Sequence, residues 1–293
     1  MAKQTTATRS RAYDRTLWEK FVTIFREGFW DVRIIRMPGS KQFFSSFSVL
    51  FKMSRFKLFR DRMPELDPEK TNMSWLPINR NIESAGEIAL PEAVLDRFIE
   101  KAKHRVIVNF CGCREAMRCK EYPSDIGCLM MGDSALEIPV KSSREVSIDE
   151  AKAHVRRGIA AGLVPIAGKA RLDNDLFMIP DRGKLLTVCF CCECCCITRF
   201  TRYVPAGTLD RIHHPVEGLS MSVTDECMGC GTCAKICYLG AVTIKNKRAV
   251  IGDLCRLCGR CALNCPKGAM KLKLDNPHIT EDVIRRIEAS VDF

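Results

Sequence analysis

Eighteen cysteines in 293 residues set the chemistry open to this chain. Eight of them fall in two runs, DECMGCGTCAKICYLGAV and DLCRLCGRCALNCPKGAM, which place Cys227, Cys230, Cys233 and Cys237 ahead of Cys255, Cys258, Cys261 and Cys265. Each run has C-x2-C-x2-C-x3-C spacing. Three thiolates at two-residue intervals wrap one face of a cubane iron–sulfur cluster, and the fourth is sent to a neighbouring cluster. The runs superpose at a constant offset of 28 residues, which also pairs Asp225 with Asp253, Gly231 with Gly259, Gly240 with Gly268 and Ala241 with Ala269. That is an internal duplication. Zinc in a ribbon-like site is the other use of paired C-x2-C motifs, but three closely spaced cysteines with a distant fourth favour the cubane.

Ten further cysteines lie upstream. Cys111, Cys113, Cys119 and Cys128 come from CGCREAMRC and YPSDIGC, and Cys189, Cys191, Cys192, Cys194, Cys195 and Cys196 from CFCCECCC. They can supply eight ligands for two more [4Fe-4S] clusters, or four for one with the rest packed; zinc binding and dithiol redox chemistry are the alternatives. Adjacent cysteines point in different directions, so the pairs Cys191/Cys192 and Cys194/Cys195 are expected to bridge two sites rather than serve one. Arg114, next to a ligand, is expected to donate hydrogen bonds to cluster sulfurs and raise the potential. His154 has no assigned role, and His213 and His214 read as a solvated loop. No GxGxxG fingerprint, Walker loop or Ser/His/Asp constellation accompanies the cysteines.

Residues 218–274 resemble the bacterial two-cluster ferredoxins. The resemblance implies a duplicated strand–loop–helix–strand unit, with strands near Ser220–Thr224, Val242–Ile244, Ala249–Ile251 and Met270–Leu274 and a short helix after the third cysteine of each run. It also implies that one [4Fe-4S] cluster takes Cys227, Cys230, Cys233 and Cys265, and the other Cys255, Cys258, Cys261 and Cys237. Proline usually follows the fourth cysteine in that family. Pro266 obeys, whereas Tyr238 does not, which leaves a backbone N–H free and puts a ring near the cluster held by Cys237. Over roughly residues 75–274, C-x-C-R, a later cysteine, YP…GCL and C-x-C-C-x-C-C-C together resemble a group of ferredoxin-domain iron–sulfur proteins of anaerobic bacteria and archaea. That resemblance implies an additional cysteine-ligated metal domain ahead of the ferredoxin module.

The elements that must position these residues read as an α+β chain. Residues 1–62 form a basic, aromatic arm in which Trp18, Phe21, Val22, Phe25 and Phe29 recur with helical period, and Phe43, Phe47, Leu50, Phe51 and Leu58 more loosely. Residues 63–86, with three prolines and little periodicity, read as linker. A cysteine-rich α+β metal domain follows over 87–217. It opens with a helix from Leu90 whose apolar face is Val94, Leu95, Phe98 and Ile99, followed by a β-rich run from Arg105 to Phe110. Ser147 and Glu150 form a capping box for a helix ending about Ala161. DLFMI and KLLTVC read as strands, the second delivering the chain into CFCCECCC. After the ferredoxin-like (βαβ)2 module of 218–274, residues 275–293 form a tail helix with Thr280 at its N-cap and Val283, Ile284, Ile287 and Val291 covering a core.

Charge is concentrated at the start. The net is +11, yet residues 1–62 alone carry 14 Lys and Arg against 5 Asp and Glu. The basicity belongs to the arm, so a role in nucleic-acid binding is not expected. The arm instead suits packing of its aromatics on the protein's own cluster domain with the charges facing water, docking on a redox partner, a flavoprotein or larger reductase, or contact with a membrane surface. The polar N-terminus has no apolar signal segment and no window reaches roughly 18 uncharged apolar residues. The expectation is a cytoplasmic, reducing setting, in which cysteines hold metals rather than disulfides. The reading that follows is a polyferredoxin-like electron carrier, or an electron-transfer subunit of an oxidoreductase, rather than a free-standing enzyme. The alternative is a reductase whose upstream cysteine site is catalytic and fed by the ferredoxin domain.

Overall fold

The computed structural model describes residue 28, residues 30–78 and 90–274, residue 276 and residues 278–293. The first aromatic repeat, Trp18 to Phe29, lies outside the described residues. The architecture is mixed α+β. Its centre is a seven-stranded sheet of β1 (Asn72–Trp75), β2 (Arg105–Val108), β3 (Leu129–Met131), β4 (Ser143–Glu145), β5 (Val164–Lys169), β6 (Leu186–Cys191) and β7 (His213–His214), in the order β4-β2-β3-β6-β5-β1-β7. All pairings are antiparallel except β1 with β7.

Alternation along the strands separates two layers, because successive side chains point to opposite faces. Ile107, Leu129 and Met131 join one core with Leu95, Phe98 and Val155, the inner faces of helices Leu90–Lys101 and Ile148–Ala160. The tail helix Ile279–Glu288 closes the same face through Val283 and Ile287, followed by Val291. Val106, Val108 and Met130 point the other way, into a second core with Trp30, Phe44, Phe110 and Phe177. Each fully buried side chain of this kind contributes about 1.5–3 kcal/mol, so both faces of the sheet are held.

Several expectations need correction. Residues 63–78 are not a linker: β1 sits between β5 and β7, and Trp75, Leu76 and Ile78 are buried. A four-residue strand gets its stability from partners about 90 and 140 positions away, Lys169 and His213 among them, and local composition does not register them. His213 is likewise buried in β7, where the Trp75 indole donates to its Nδ1 at 2.9 Å. The DLFMI segment is the end of helix Arg171–Phe177, its left-handed cap Met178 and Ile179, whose N–H returns to the Asn174 carbonyl, while β5 and β6 pair with each other. Thr280 lies inside the tail helix, and His278 occupies the cap position without a side-chain hydrogen bond. The capping box of Ser147 and Glu150 is present as read.

Part of the arm belongs to the body. Helix Pro38–Met53 buries Phe44 and Phe51 and packs Phe47 and Leu50 against the core, so the expected face holds at Phe47, Leu50 and Phe51, while Phe43 and Leu58 stay exposed and Phe44 turns inward instead. Trp30 stacks on Phe177 with centroids 4.2 Å apart and donates to the Leu176 carbonyl at 2.7 Å. Arg36 forms a two-pronged ion pair with Glu115.

The last layer holds β8 (Leu219–Val223), β9 (Val242–Lys245), β10 (Arg248–Ile251) and β11 (Met270–Leu274). β8 pairs antiparallel with β11 and β9 with β10. Short helices Thr232–Lys235 and Arg260–Leu263 each begin one residue before the third cysteine of a run, rather than after it. Gly231 and Gly259 precede them at φ 80° and 76°, a conformation that costs glycine nothing. Tyr238, Leu239 and Leu272 join the same core as the large sheet.

Candidate metal centres

The upstream cysteines are assembled by one strand end and one short helix. β6 delivers Cys189 and Cys191 two residues apart, hence on one face, and the chain then turns through Glu193–Cys195. Opposite stands helix Gly112–Met117, with Cys111 at its N-cap and Cys113 in its first turn. The helix ends at Arg118 in the left-handed conformation, φ 53°, which brings Cys119 back toward the turn after β6. This places Cys119 against Cys194, sulfur to sulfur 3.6 Å.

Cys119, Cys192, Cys194 and Cys195 form a group placed to hold a metal ion, with all four sulfurs within 4.8 Å of one another. A tetrahedral ion with metal–sulfur bonds of about 2.3 Å separates its thiolates by about 3.8 Å, so the spacing suits four ligands on one centre. The Cys195 thiol beside it pulls Cys192 down to about 6, and burial holds Cys194 at about 12. One thiolate is therefore ready at neutral pH, and a metal would displace the remaining protons.

The other six, Cys111, Cys113, Cys128, Cys189, Cys191 and Cys196, line a separate chamber. Cys128 and Cys189 lie 3.4 Å apart, sulfur to sulfur, and Cys191 and Cys196 3.0 Å. Further contacts join Cys189 to Cys191, Cys196 to Cys113 and Cys113 to Cys111, so the six sulfurs make one continuous series. The pair Cys191/Cys192 splits between chamber and four-cysteine group, as side-chain alternation at a strand end requires. Cys194/Cys195 does not split. Both point into the four-cysteine group, because a tight turn, unlike a strand, can aim neighbouring side chains at one point.

In the C-terminal layer, one small cavity is lined by Cys227, Cys230, Cys233 and Cys265, and another by Cys237, Cys255, Cys258 and Cys261. Each collects three cysteines of one run and the last of the other. Backbone N–H groups already point at two of these sulfurs, Ala249 at Cys227 (3.4 Å) and Ala241 at Cys237 (3.3 Å). Such donors stabilise thiolate charge.

Three side chains absent from the sequence-based site tie the groups together. Glu193, inside the four-cysteine turn, pairs with Arg260 at 2.7 Å. Arg260 also donates to the Gly162 carbonyl at 2.8 Å and to the Tyr122 hydroxyl, and it lines the cavity of Cys258 and Cys261. Tyr122 donates in turn to Glu193. Tyr238, read from sequence as a ring near one cluster, is buried and donates its hydroxyl to the Cys191 carbonyl at 2.5 Å. Its replacement of proline is therefore a joint between the two layers. The nearest signal in the sequence was this departure from the family pattern.

Arg114 needs correction. Its guanidinium is buried and donates to the carbonyls of Phe190 (2.7 Å) and Ile126, not to sulfur. Burial would lower its pKa, but the surrounding Cys111, Cys192, Cys191 and Cys196 together hold it above its ordinary value. It is thus a fixed positive charge beside both upstream groups. His154 is buried, its Nε2 2.8 Å from the Gly127 carbonyl and its ring edge-on to Phe190, and packs the sheet rather than binding metal. Compared with protein-family models, curated proteins and solved structures, the chain matches none.

Proposed function

We propose that the chain is a multi-centre iron–sulfur protein of the polyferredoxin kind, relaying single electrons between redox partners. Two [4Fe-4S] clusters would occupy the C-terminal quartets, and further centres the upstream cysteine groups. The observation that carries this reading is continuity. Tyr238 and Arg260 line the cavity of Cys237, Cys255, Cys258 and Cys261, and both bond directly to the Cys191–Glu193 segment between the upstream groups. Metal centres in these positions would be separated by buried, hydrogen-bonded protein, the setting in which electrons pass without substrate. Cubanes whose four irons each hold a thiolate are coordinatively saturated, so electron exchange is the chemistry they offer.

A partner must reach such a chain, and the arm offers a face for one. Of the twelve exposed large apolar residues among those described, seven lie between Ile34 and Phe59, among them Val49, Phe56 and Leu58 at 58–67% exposure. Arg55, Lys57, Arg60 and Arg62 are interleaved with them. The complementary surface is apolar and acidic, and a flavoprotein or larger reductase presenting one is the partner we assign. No described helix is long and apolar enough to cross a membrane.

The test is anaerobic purification with a count of iron and acid-labile sulfide per chain, and electron paramagnetic resonance during stepwise reduction. About eight irons place cubanes in the C-terminal quartets alone, and about twelve or sixteen extend the relay upstream. A protein lacking iron and labile sulfide sinks the reading. For the docking face, Lys57→Glu with Arg60→Glu should slow electron exchange with a flavoprotein reductase while leaving reduction by dithionite unchanged. Sedimentation with anionic vesicles would assign the face to a membrane instead.

A further inference from the structure

The six-cysteine chamber is furnished differently from the other cysteine groups. Its cavity is about 100 Å³, against about 20 and about 30 Å³ at the two C-terminal quartets. One buried water needs only about 10–15 Å³ of such space, and packed interiors leave few larger voids. The six sulfurs touch one another in series and still border a space of this size, whose remaining wall includes Trp30, Phe44 and Phe177. They are also not disulfides: 3.0 and 3.4 Å between sulfurs far exceeds a bond of about 2.05 Å. Six thiols are more than one tetrahedral ion can use.

The chamber also holds an oxygen donor. Asp173, on helix Arg171–Phe177, lines the same cavity, and its Oδ2 is buried without any hydrogen-bond partner. A buried carboxylate oxygen with no donor is costly unless the group takes up a proton or something positive meets it. The Thr187 hydroxyl is the side-chain donor that reaches this carboxyl, and it leaves Oδ2 unmet.

We propose that the chamber binds a multinuclear iron–thiolate centre, separate from the four-cysteine site, held by cysteines 111, 113, 128, 189, 191 and 196 with Asp173 as its one oxygen ligand. The identity of the metal rests on the iron–sulfur reading above. A carboxylate is a harder ligand than a thiolate and holds iron less firmly. The iron at Asp173 is the one that an incoming small molecule can displace from its protein ligand, which the saturated C-terminal cubanes do not offer.

The experiment uses the full chain purified without oxygen, with Cys128→Ser and Cys189→Ser in the chamber, Cys119→Ser in the four-cysteine group, and Asp173→Asn. Both chamber substitutions should lower iron and sulfide together, and that loss should add to the loss from Cys119→Ser in a double variant. The C-terminal cubane signals should persist in all of them and report that each variant folds. Asp173→Asn should keep the iron but shift the paramagnetic signal of the upstream centre. Folded chamber variants with wild-type iron and sulfide overturn the proposal while leaving the relay standing, whereas wild-type protein without iron or labile sulfide overturns the relay itself. Where a substitution prevents folding, the Mössbauer spectrum of the ⁵⁷Fe-loaded wild type decides. Iron beyond two cubanes, part of it oxygen-ligated, is expected, and a spectrum of all-thiolate cubanes alone overturns the proposal.

Discussion

The C-terminal quartets and the upstream cysteine groups reach similar chemistry by opposite means. In the first, three cysteines of each group are set by two-residue intervals around a short helix, and only the fourth comes from the other run. In the second, neighbours in sequence are separated and distant residues joined. Cys191 and Cys196 face the chamber, while Cys192, Cys194 and Cys195 turn toward Cys119, 75 positions from Cys194. The lesson is that a motif can gather its cysteines with little tertiary support, whereas the upstream groups depend on the sheet that aims them. Substitutions in the scaffold should therefore damage the upstream groups more than the quartets.

The largest effect is expected at Gly127, beside Cys128. A Cβ there would sit 1.9 Å from the Val108 carbonyl oxygen and 2.8 Å from that of Phe110. Gly127→Ala must push β2 and β3 apart at a cost of about 3–5 kcal/mol, seen as a large drop in Tm together with loss of upstream metal. Gly231→Ala, whose added Cβ meets open space, should cost only the left-handed strain of about 1–2 kcal/mol. Equal effects at the two glycines would break the comparison.

Next comes Arg260, the joint between the regions. Arg260→Ala leaves the half-buried Glu193 without its cation and should cost about 1.5–3 kcal/mol, and slow electron passage between C-terminal and upstream centres during stepwise reduction. The pair Arg248–Asp225, with Asp225 almost fully exposed, provides the contrast. Its removal should leave Tm unchanged, because solvent-exposed pairs gain little.

His213 sharpens the comparison through pH. Burial holds its pKa down to about 3 from an ordinary 6.5, so the unfolded chain binds the proton more readily than the folded one. Stability from this group is complete above about 6.5 and is lost as pH falls toward about 3. His213→Leu should cost about 1–3 kcal/mol at neutral pH by orphaning the Trp75 N–H, and should flatten the acid limb of a stability–pH curve. A limb as steep as wild type would show that other groups carry it. A small effect is expected from Tyr238→Phe, which removes one hydroxyl from the Cys191 carbonyl at about 1 kcal/mol and should leave the metal content of every group intact.

What the sequence determined by itself was local. It gave the helices at Leu90 and Ile148, the capping box at Ser147, the strand leading into CFCCECCC and the repeat of the two cysteine runs, because periodicity, capping and spacing all act within a few residues. The partition of the ten upstream cysteines, the burial of β1 and β7, the placement of Asp173 and Glu193, and the Tyr238 and Arg260 joints were decided only by tertiary structure. Each depends on which strand lies beside which and which face it turns inward, and β1, with partners roughly 90 residues or more distant, carries no local mark of either. The cysteines announce that metal can be held. The sheet decides which of them stand together.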